Sequence, residues 1–386
     1  MINFTALPPL SLYIHVPWCV KKCPYCDFNS HTSPDRIPEQ AYIDALIRDL
    51  EQEIPTVWGR TIQTIFIGGG TPSLFSAEGY DRLFSAIRAL LPISHNAEIT
   101  LEANPGTFEQ QRFADYLSLG INRLSIGIQS FNDESLQALG RIHDARQAIK
   151  AVETAHKVGF ENFNLDLMFG LPHQTATSAK EDIETAIALE PMHLSYYQLT
   201  IEPNTLFYQH PPTLPDDDPI IDWQIESQRR LAKAGYEQYE VSAYAKNKQH
   251  CQHNVNYWRF GDYLGIGAGA HGKISDAAQQ SITRKSKQKQ PQAYIDAAGT
   301  SQVVLTNERI STKDIGFEFM LNALRLTEGF PTPLFYQHAG LPISHIDKAL
   351  QTAEQQGLIT WTIHRICPTE KGQRYLNSLI ELFLPN

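Results

Sequence analysis

Hydrophobic and polar positions follow two rhythms along the first half of the chain. Short runs rich in β-branched and aromatic residues occur at 12–16, 64–67, 98–102, 123–128, 163–169 and 193–199. Between them lie longer stretches, such as 39–53, 77–91, 145–158 and 178–189, whose apolar residues recur near helical spacing. Repeated strand–helix units predict the α/β class, with a parallel sheet and right-handed crossovers. Six of them predict a partial (β/α)6 barrel over residues 1–205. In such barrels the working residues stand just past the C-terminal ends of the strands.

The rhythm then loosens. Residues 204–222 carry Pro211, Pro212, Pro215 and three successive aspartates, Asp216 to Asp218, and predict a surface loop that ends in a helix start at Asp218-Pro219. A helix is expected over 220–234 and one strand over 236–245. The stretch 273–300 is polar and low in apolar residues, so 206–300 reads as a barrel extension closing in a polar linker. From about Thr312 the pattern changes again. Helices are predicted over 314–326, 333–338 and 346–356, two short strands over 357–361 and 363–367, and a last helix from Glu370. Three helices and a hairpin over 301–386 describe a winged-helix-like α+β module, a shape that does not by itself give a function.

The chain has 386 residues, 42% of them hydrophobic, enough for a large core and a smaller second one. The net charge of −10 argues against a general nucleic-acid binder. Five cysteines, three of them in one loop, fit a reduced, cytoplasmic protein better than a disulfide-stapled one. No signal-like start is present, and no run approaches the ~20 apolar residues of a membrane span. The basic run Arg284-Lys-Ser-Lys287-Gln-Lys289 reads as a solvated loop. Contact of that run with propionates, a partner or anionic lipid is the alternative.

The chemistry concentrates after the first strand. Cys19, Cys23 and Cys26 are spaced C-x3-C-x2-C. An iron–sulfur cube normally takes four thiolates, so three leave one iron open to an exchangeable ligand. Zinc, with His31 or His15 as a fourth ligand, is the competing reading. The other unusual residues also fall at predicted strand ends: Gly68-Gly69-Gly70-Thr71-Pro72, Glu102-Ala-Asn-Pro105, Gln129-Ser-Phe, Asp166 with Gly170-Leu-Pro, and Thr200 with Glu202. That convergence is what an active rim requires. Glycines in the second of these turns allow a ligand close to the backbone.

Tyr13-Ile-His-x-Pro-x-Cys19-x3-Cys23-x-Tyr25-Cys26 has the spacing of the radical S-adenosylmethionine superfamily. It resembles the cluster loop of the oxygen-independent coproporphyrinogen III oxidase family, and the resemblance spans roughly the whole chain. It implies a [4Fe–4S] cluster on Cys19, Cys23 and Cys26. It implies S-adenosyl-L-methionine contacts from Gly69, Gly70 and Thr71 to the amino group, Glu102 at the methionine end, Gln129 and Asp166 on the ribose hydroxyls, and Arg141 on the carboxylate. Tyr13 and Tyr25 resemble positions near the sulfonium and adenine. His253-Asn-Val-Asn-Tyr257-Trp258 and the following glycine-rich segment resemble the heme-chaperone branch of that family, with His253 as the implied heme ligand. Cys251 is a weaker candidate, and His271 is expected to line the cofactor cleft.

Function follows in two versions. A heme chaperone would bind heme beside the cluster and cofactor and deliver it to a target hemoprotein such as a respiratory enzyme. A coproporphyrinogen III dehydrogenase would use the same rim for radical decarboxylation. Phe28, which stands where the dehydrogenase branch carries a further cysteine, and the short stretch before the first strand both favour the chaperone, without dehydrogenase activity. The expected partners are heme, a hemoprotein, a membrane met peripherally and a second copy of the chain, with no nucleic acid.

Overall fold

The computed structural model describes residues 2–106 and 110–385. Strand β1 (Leu10–Val16) sets the frame. Leu10, Leu12, Ile14 and Val16 point into the core and are at most 1% exposed. Ser11, Tyr13 and His15 alternate onto the opposite face, as pleating requires. Strands β2 (Ile62–Gly69), β3 (Ile93–Ala103), β4 (Arg123–Gln129), β5 (Phe163–Phe169) and β6 (His193–Gln198) follow in sequence order, each parallel to the one before. The α/β class and the partial barrel expected from the sequence are what the fold shows. Some strands start earlier than the apolar runs, since pairing of Leu10 with Ile62 and of Ile62 with Ile93 carries the ladder past the β-branched stretch.

Helices Glu39–Glu53, Ala77–Leu90, Ala145–Val158 and Ala176–Ala188 connect these strands and bury one apolar face each. The third shows why it starts and stops where it does. Asp144 and Gln147 form a reciprocal capping box, and Gly159 ends it at φ 96°.

The sheet continues on both sides. Beyond β6 lie two strands, β7 (Glu237–Glu240) and β8 (Ala243–Ala245), where the sequence pattern suggested one. A reversal at Val241 and Ser242 folds that run into an antiparallel pair with β8 innermost. On the β1 side, β9 (Asp262–Ile266) pairs parallel to β1, followed by the antiparallel strands β10 (His271–Asp276), β11 (Ser281–Lys287) and β12 (Val304–Arg309). Among the described residues the sheet order is β12-β11-β10-β9-β1-β2-β3-β4-β5-β6-β8-β7.

The basic run is therefore not a solvated loop. Most of it is β11, and the charges of that strand are met by acids on neighbouring helices. Lys287 Nζ lies 2.5 Å from Asp49 and 2.8 Å from Glu53, with Lys287, Asp49 and Glu53 all buried. Lys285 reaches Glu53 at 2.8 Å, and Arg284 reaches Glu318 of the C-terminal module at 2.6 Å. Burial favours a neutral Lys287, but Asp49 and Glu53 outweigh it and hold the ammonium above its ordinary range.

The C-terminal module has its own core. Helices Thr312–Ala323, Pro333–Ala339 and Asp347–Gln355 pack on a three-stranded sheet of Phe330–Pro331, Arg365–Pro368 and Ile359–Trp361. Phe319, Met320, Phe330 and Phe335 lie at its centre, joined by Ile2 and Phe4 from the chain's start and by Phe260 and Ile282 from the extension. These contributions dock the module against the extended sheet. Cys367 donates its thiol to the Thr327 carbonyl at 3.5 Å.

Candidate functional site

The loop after β1 turns back on itself, and Trp18–Cys19 pairs with His31–Thr32. It is also clamped to the glycine turn after β2. Gly70 N–H donates to Val16 O and Thr71 N–H to Trp18 O, each at 2.7 Å. A Cβ on Gly70 would stand 2.5 Å from the Trp18 carbonyl oxygen. That glycine is thus required first by the approach of two pieces of backbone, and only then by a ligand. The clamp fixes the cysteine loop at the C-terminal ends of β1 and β2.

A narrow cavity of about 340 Å3 opens there. Of the residues singled out in the sequence, Cys19, Cys23, Cys26, Tyr25, Gly69, Gly70, Thr71, Glu102, Gln129, Arg141 and Asp166 line it; Tyr13, His253, Cys251, His271, Thr200 and Glu202 do not. The three thiols are free and half-buried. Arg141 Nη1 donates to Cys23 Sγ at 3.4 Å. Its Nη2 donates to Asn104 Oδ1 at 2.8 Å and to Gly127 O at 2.9 Å, while Nε is buried with no partner among the described residues. Among the described residues no three His, Cys, Asp or Glu side chains converge on one metal-ion position, as a single zinc would require. A cube takes each thiolate on a different iron, so this donor set suits a cluster better than zinc.

The carboxylates are tuned by burial. Glu102 Oε2 accepts from Gly69 N–H at 3.0 Å, yet burial first, and then the nearby Asp166, push its carboxyl up to about 7. Asp166 accepts from Asn164 Nδ2 at 2.8 Å and Ser125 Oγ at 3.2 Å, and burial still raises it. Gln129 closes β4 in the left-handed region at φ 70°, and its Oε1 accepts from the Tyr197 hydroxyl at 3.0 Å. A non-glycine residue held at positive φ on a rim is strain that the surrounding packing maintains.

A second, wider cleft of about 840 Å3 adjoins the first. It runs between the cysteine loop, the extension and the C-terminal module, which contributes Leu321 and Asn322. Tyr13 lines this cleft, as do His15 and the exposed His271. Five residues line both spaces: Phe28, Ser30, Gly69, Glu102 and Trp258.

His253 is brought into neither space. It is 1% exposed on helix Gln252–Trp258, whose first amides are held by Glu98. Gln252 N–H and His253 N–H donate to the two carboxylate oxygens, both at 3.1 Å. Thr64 donates to Ser11 Oγ at 2.8 Å, so its oxygen accepts from His253 Nδ1, also at 2.8 Å. The remaining nitrogen, Nε2, meets the Tyr257 hydroxyl at 3.1 Å. Burial, with Arg123 adding to it, lowers the imidazole to about 3 and keeps it neutral. Tyr257 and Trp258 of the same helix do reach the wide cleft. Cys251 is buried near Glu98 and Arg123, and burial pushes its thiol up to about 12.

Reading the motifs missed the inward polar face of the later strands. Ser125 and Gly127 on β4, and Ser195 and Tyr197 on β6, line the narrow cavity. Each pair is two residues apart, and polar residues at every second position against apolar neighbours were the available signal. Asn104, which holds both Arg141 and Thr71, was quoted in a motif but given no role.

With this geometry in hand, the chain can be set beside known proteins. The radical SAM superfamily pattern matches residues 13–186, and the HemN C-terminal domain pattern matches residues 310–375. The chain is 50% identical over 382 residues to the heme chaperone HemW of Haemophilus influenzae, covering 98% of each chain. It is 49% identical over 378 residues to HemW of Escherichia coli, covering 98% of this chain and 99% of that one. The chain belongs to the HemW family. The HemW of Bacillus subtilis is related at 34% identity over 384 residues, so the match runs through barrel, extension and C-terminal module alike. Among solved structures, Escherichia coli coproporphyrinogen III oxidase, HemN, superposes with a TM-score of 0.82 at 24% identity. It covers 98% of this chain and 90% of that one, and shows that HemW-family chains and HemN share a fold. No helix among the described residues is long and apolar enough to cross a membrane.

Proposed function

We propose that this chain is a heme chaperone. It binds heme, carries a [4Fe–4S] cluster with S-adenosylmethionine beside it, and passes heme to a hemoprotein such as a respiratory enzyme. Full-length kinship with proteins named heme chaperone HemW carries the reading. The two adjoining spaces support it, since a narrow one suits the cluster and cofactor and a wide one leaves room for a macrocycle.

In this reading Cys19, Cys23 and Cys26 hold the cluster, which supplies an open iron for an exchangeable ligand. Glu102, with the Gly69–Thr71 turn, receives the cofactor's ammonium. Asp166 and Gln129 take ribose hydroxyls, and Arg141 faces the carboxylate. Tyr25 lies on the cluster side, and Tyr13 reaches the assembly from the floor of the wide cleft. The His253–Trp258 segment contacts heme through the half-buried Tyr257 and Trp258.

The test uses anaerobically reconstituted protein. Hemin is titrated by absorbance, transfer to an apo-hemoprotein is followed, and coproporphyrinogen turnover is assayed in the same preparation. Stoichiometric hemin binding and transfer without decarboxylated product are expected. Decarboxylation dependent on S-adenosylmethionine, without heme transfer, overturns the chaperone and leaves a dehydrogenase.

A further inference from the structure

The wide cleft carries chemistry that the rim does not use. Its volume of about 840 Å3 lies within the ~300–1,000 Å3 of ordinary ligand sites. Phe28, Tyr257, Trp258, Phe260 and Tyr263 give it flat apolar walls. Phe28 is 59% exposed, an aromatic ring left in solvent at the boundary with the narrow cavity. A large flat apolar ligand would cover it.

Four cations also line this space, and two are already committed. Lys273 is buried on Asp262 at 2.9 Å, and Arg284 holds Glu318 through Nε at 2.9 Å and Nη2 at 2.6 Å. Lys22 donates only to the Phe28 carbonyl at 3.1 Å, and Lys289 has no side-chain partner among the described residues. The acids in the lining are Asp27 and Glu102, and burial holds much of Glu102 protonated near neutrality.

Three imidazoles remain. His15 uses both nitrogens, on Tyr13 Oη at 2.9 Å and Asn29 O at 2.8 Å. His31 is half-buried, with Nε2 enclosed by protein. His271, at the first residue of β10, is exposed, and neither ring nitrogen has a partner among the described residues.

The geometry points to this cleft as the heme seat, with His271 ligating the iron and Lys22 and Lys289 meeting the two propionates. The assignment rests on the chaperone reading above. Partial burial, and then the charges of Lys289 and Arg284, lower the His271 imidazole, so it stays neutral with a lone pair to give. His253 is then a positioning residue. Its capped Nε2 orients Tyr257, and Tyr257 forms the wall. The arrangement suits a carrier, since an exposed imidazole, the exposed Lys289 and the half-buried Lys22 release their load without uncovering the core.

The full-length protein is titrated with hemin and with hemin dimethyl ester, read by Soret absorbance and electron paramagnetic resonance. The variants are His271→Ala, His253→Ala and the pair Lys22→Ala with Lys289→Ala. His271→Ala should lose the imidazole-ligated signature, and added imidazole should restore it, which separates ligation from misfolding. His253→Ala should weaken binding but keep the signature. The lysine pair should weaken hemin about tenfold and leave the dimethyl ester unchanged. If wild type binds hemin but His271→Ala keeps the wild-type spectrum, or His253→Ala alone loses it, this seat is overturned and the chaperone reading survives. If wild type binds no hemin, both fail.

Discussion

The narrow cavity and the wide cleft share a wall but are assembled differently. The narrow cavity is built by chain order. Cys19, Gly69, Glu102 and Gln129 each stand at or just past the C-terminal end of a successive parallel strand, and Asp166, expected at a strand end, sits instead in the middle of β5, so the topology delivers all five to one rim. The wide cleft is built by docking. Its walls come from β1, the segment after helix Gln252–Trp258, three added strands and a helix of the C-terminal module. A site of the first kind can be read from local motifs. A site of the second kind depends on contacts between residues hundreds of positions apart.

The two sites should therefore fail separately. Cys23→Ala should abolish the cluster, seen as lost iron and lost absorbance near 400 nm, while hemin still binds the wide cleft. Loss of both together would mean that the two spaces are one site. Lys287→Met should do the reverse. It leaves Asp49 buried without its cation and Glu53 with Lys285 alone, at a cost of about 3–5 kcal/mol, and should lower Tm and hemin affinity before it touches the rim. A thermal melt within 1 °C of wild type would show that the extension does not depend on this cluster.

Gly70→Ala is milder. The new methyl meets the Trp18 carbonyl and should cost about 1–3 kcal/mol, with poorer cluster retention and unchanged hemin binding. The smallest effect is a pH dependence. In the proposed site S-adenosylmethionine would present an ammonium to Glu102, whose carboxyl is pushed up to about 7. Affinity should rise with pH through about 7 and level off above it, falling at most ~tenfold per unit below. Calorimetry in buffers of different ionisation enthalpy should show protons released on binding at pH 6.5, and Glu102→Gln should remove the slope. The sign for stability is opposite. The folded value stands above the ordinary 4.5, so this group's contribution is full below 4.5 and is lost as pH rises through about 7.

The same contrast explains what the sequence disclosed. Periodicity located the barrel strands, and the spacing of Cys19, Cys23 and Cys26 with the glycine turn marked the rim. The run from Arg284 to Lys289 looked solvated because nothing local satisfies its charges. Lys287 is paired with Asp49, 238 positions away. His253 drew attention as a histidine among aromatics, but the tautomer-fixing contact to Thr64 appears only after β2 and the helix meet, and the one to Tyr257 comes from the helix itself. His271 had no pattern beyond its glycines, and its interest comes from the lack of a bonding partner.

Phe28, Ser30, Gly69, Glu102 and Trp258 face both spaces, so an occupant of one meets side chains that an occupant of the other also meets. Thermodynamic reciprocity then applies. Whatever factor S-adenosylmethionine imposes on heme affinity, heme must impose on S-adenosylmethionine. A cofactor that loosened heme would, by that symmetry, be loosened by it, and a carrier's loading and unloading would be set by cofactor supply without any bond being broken.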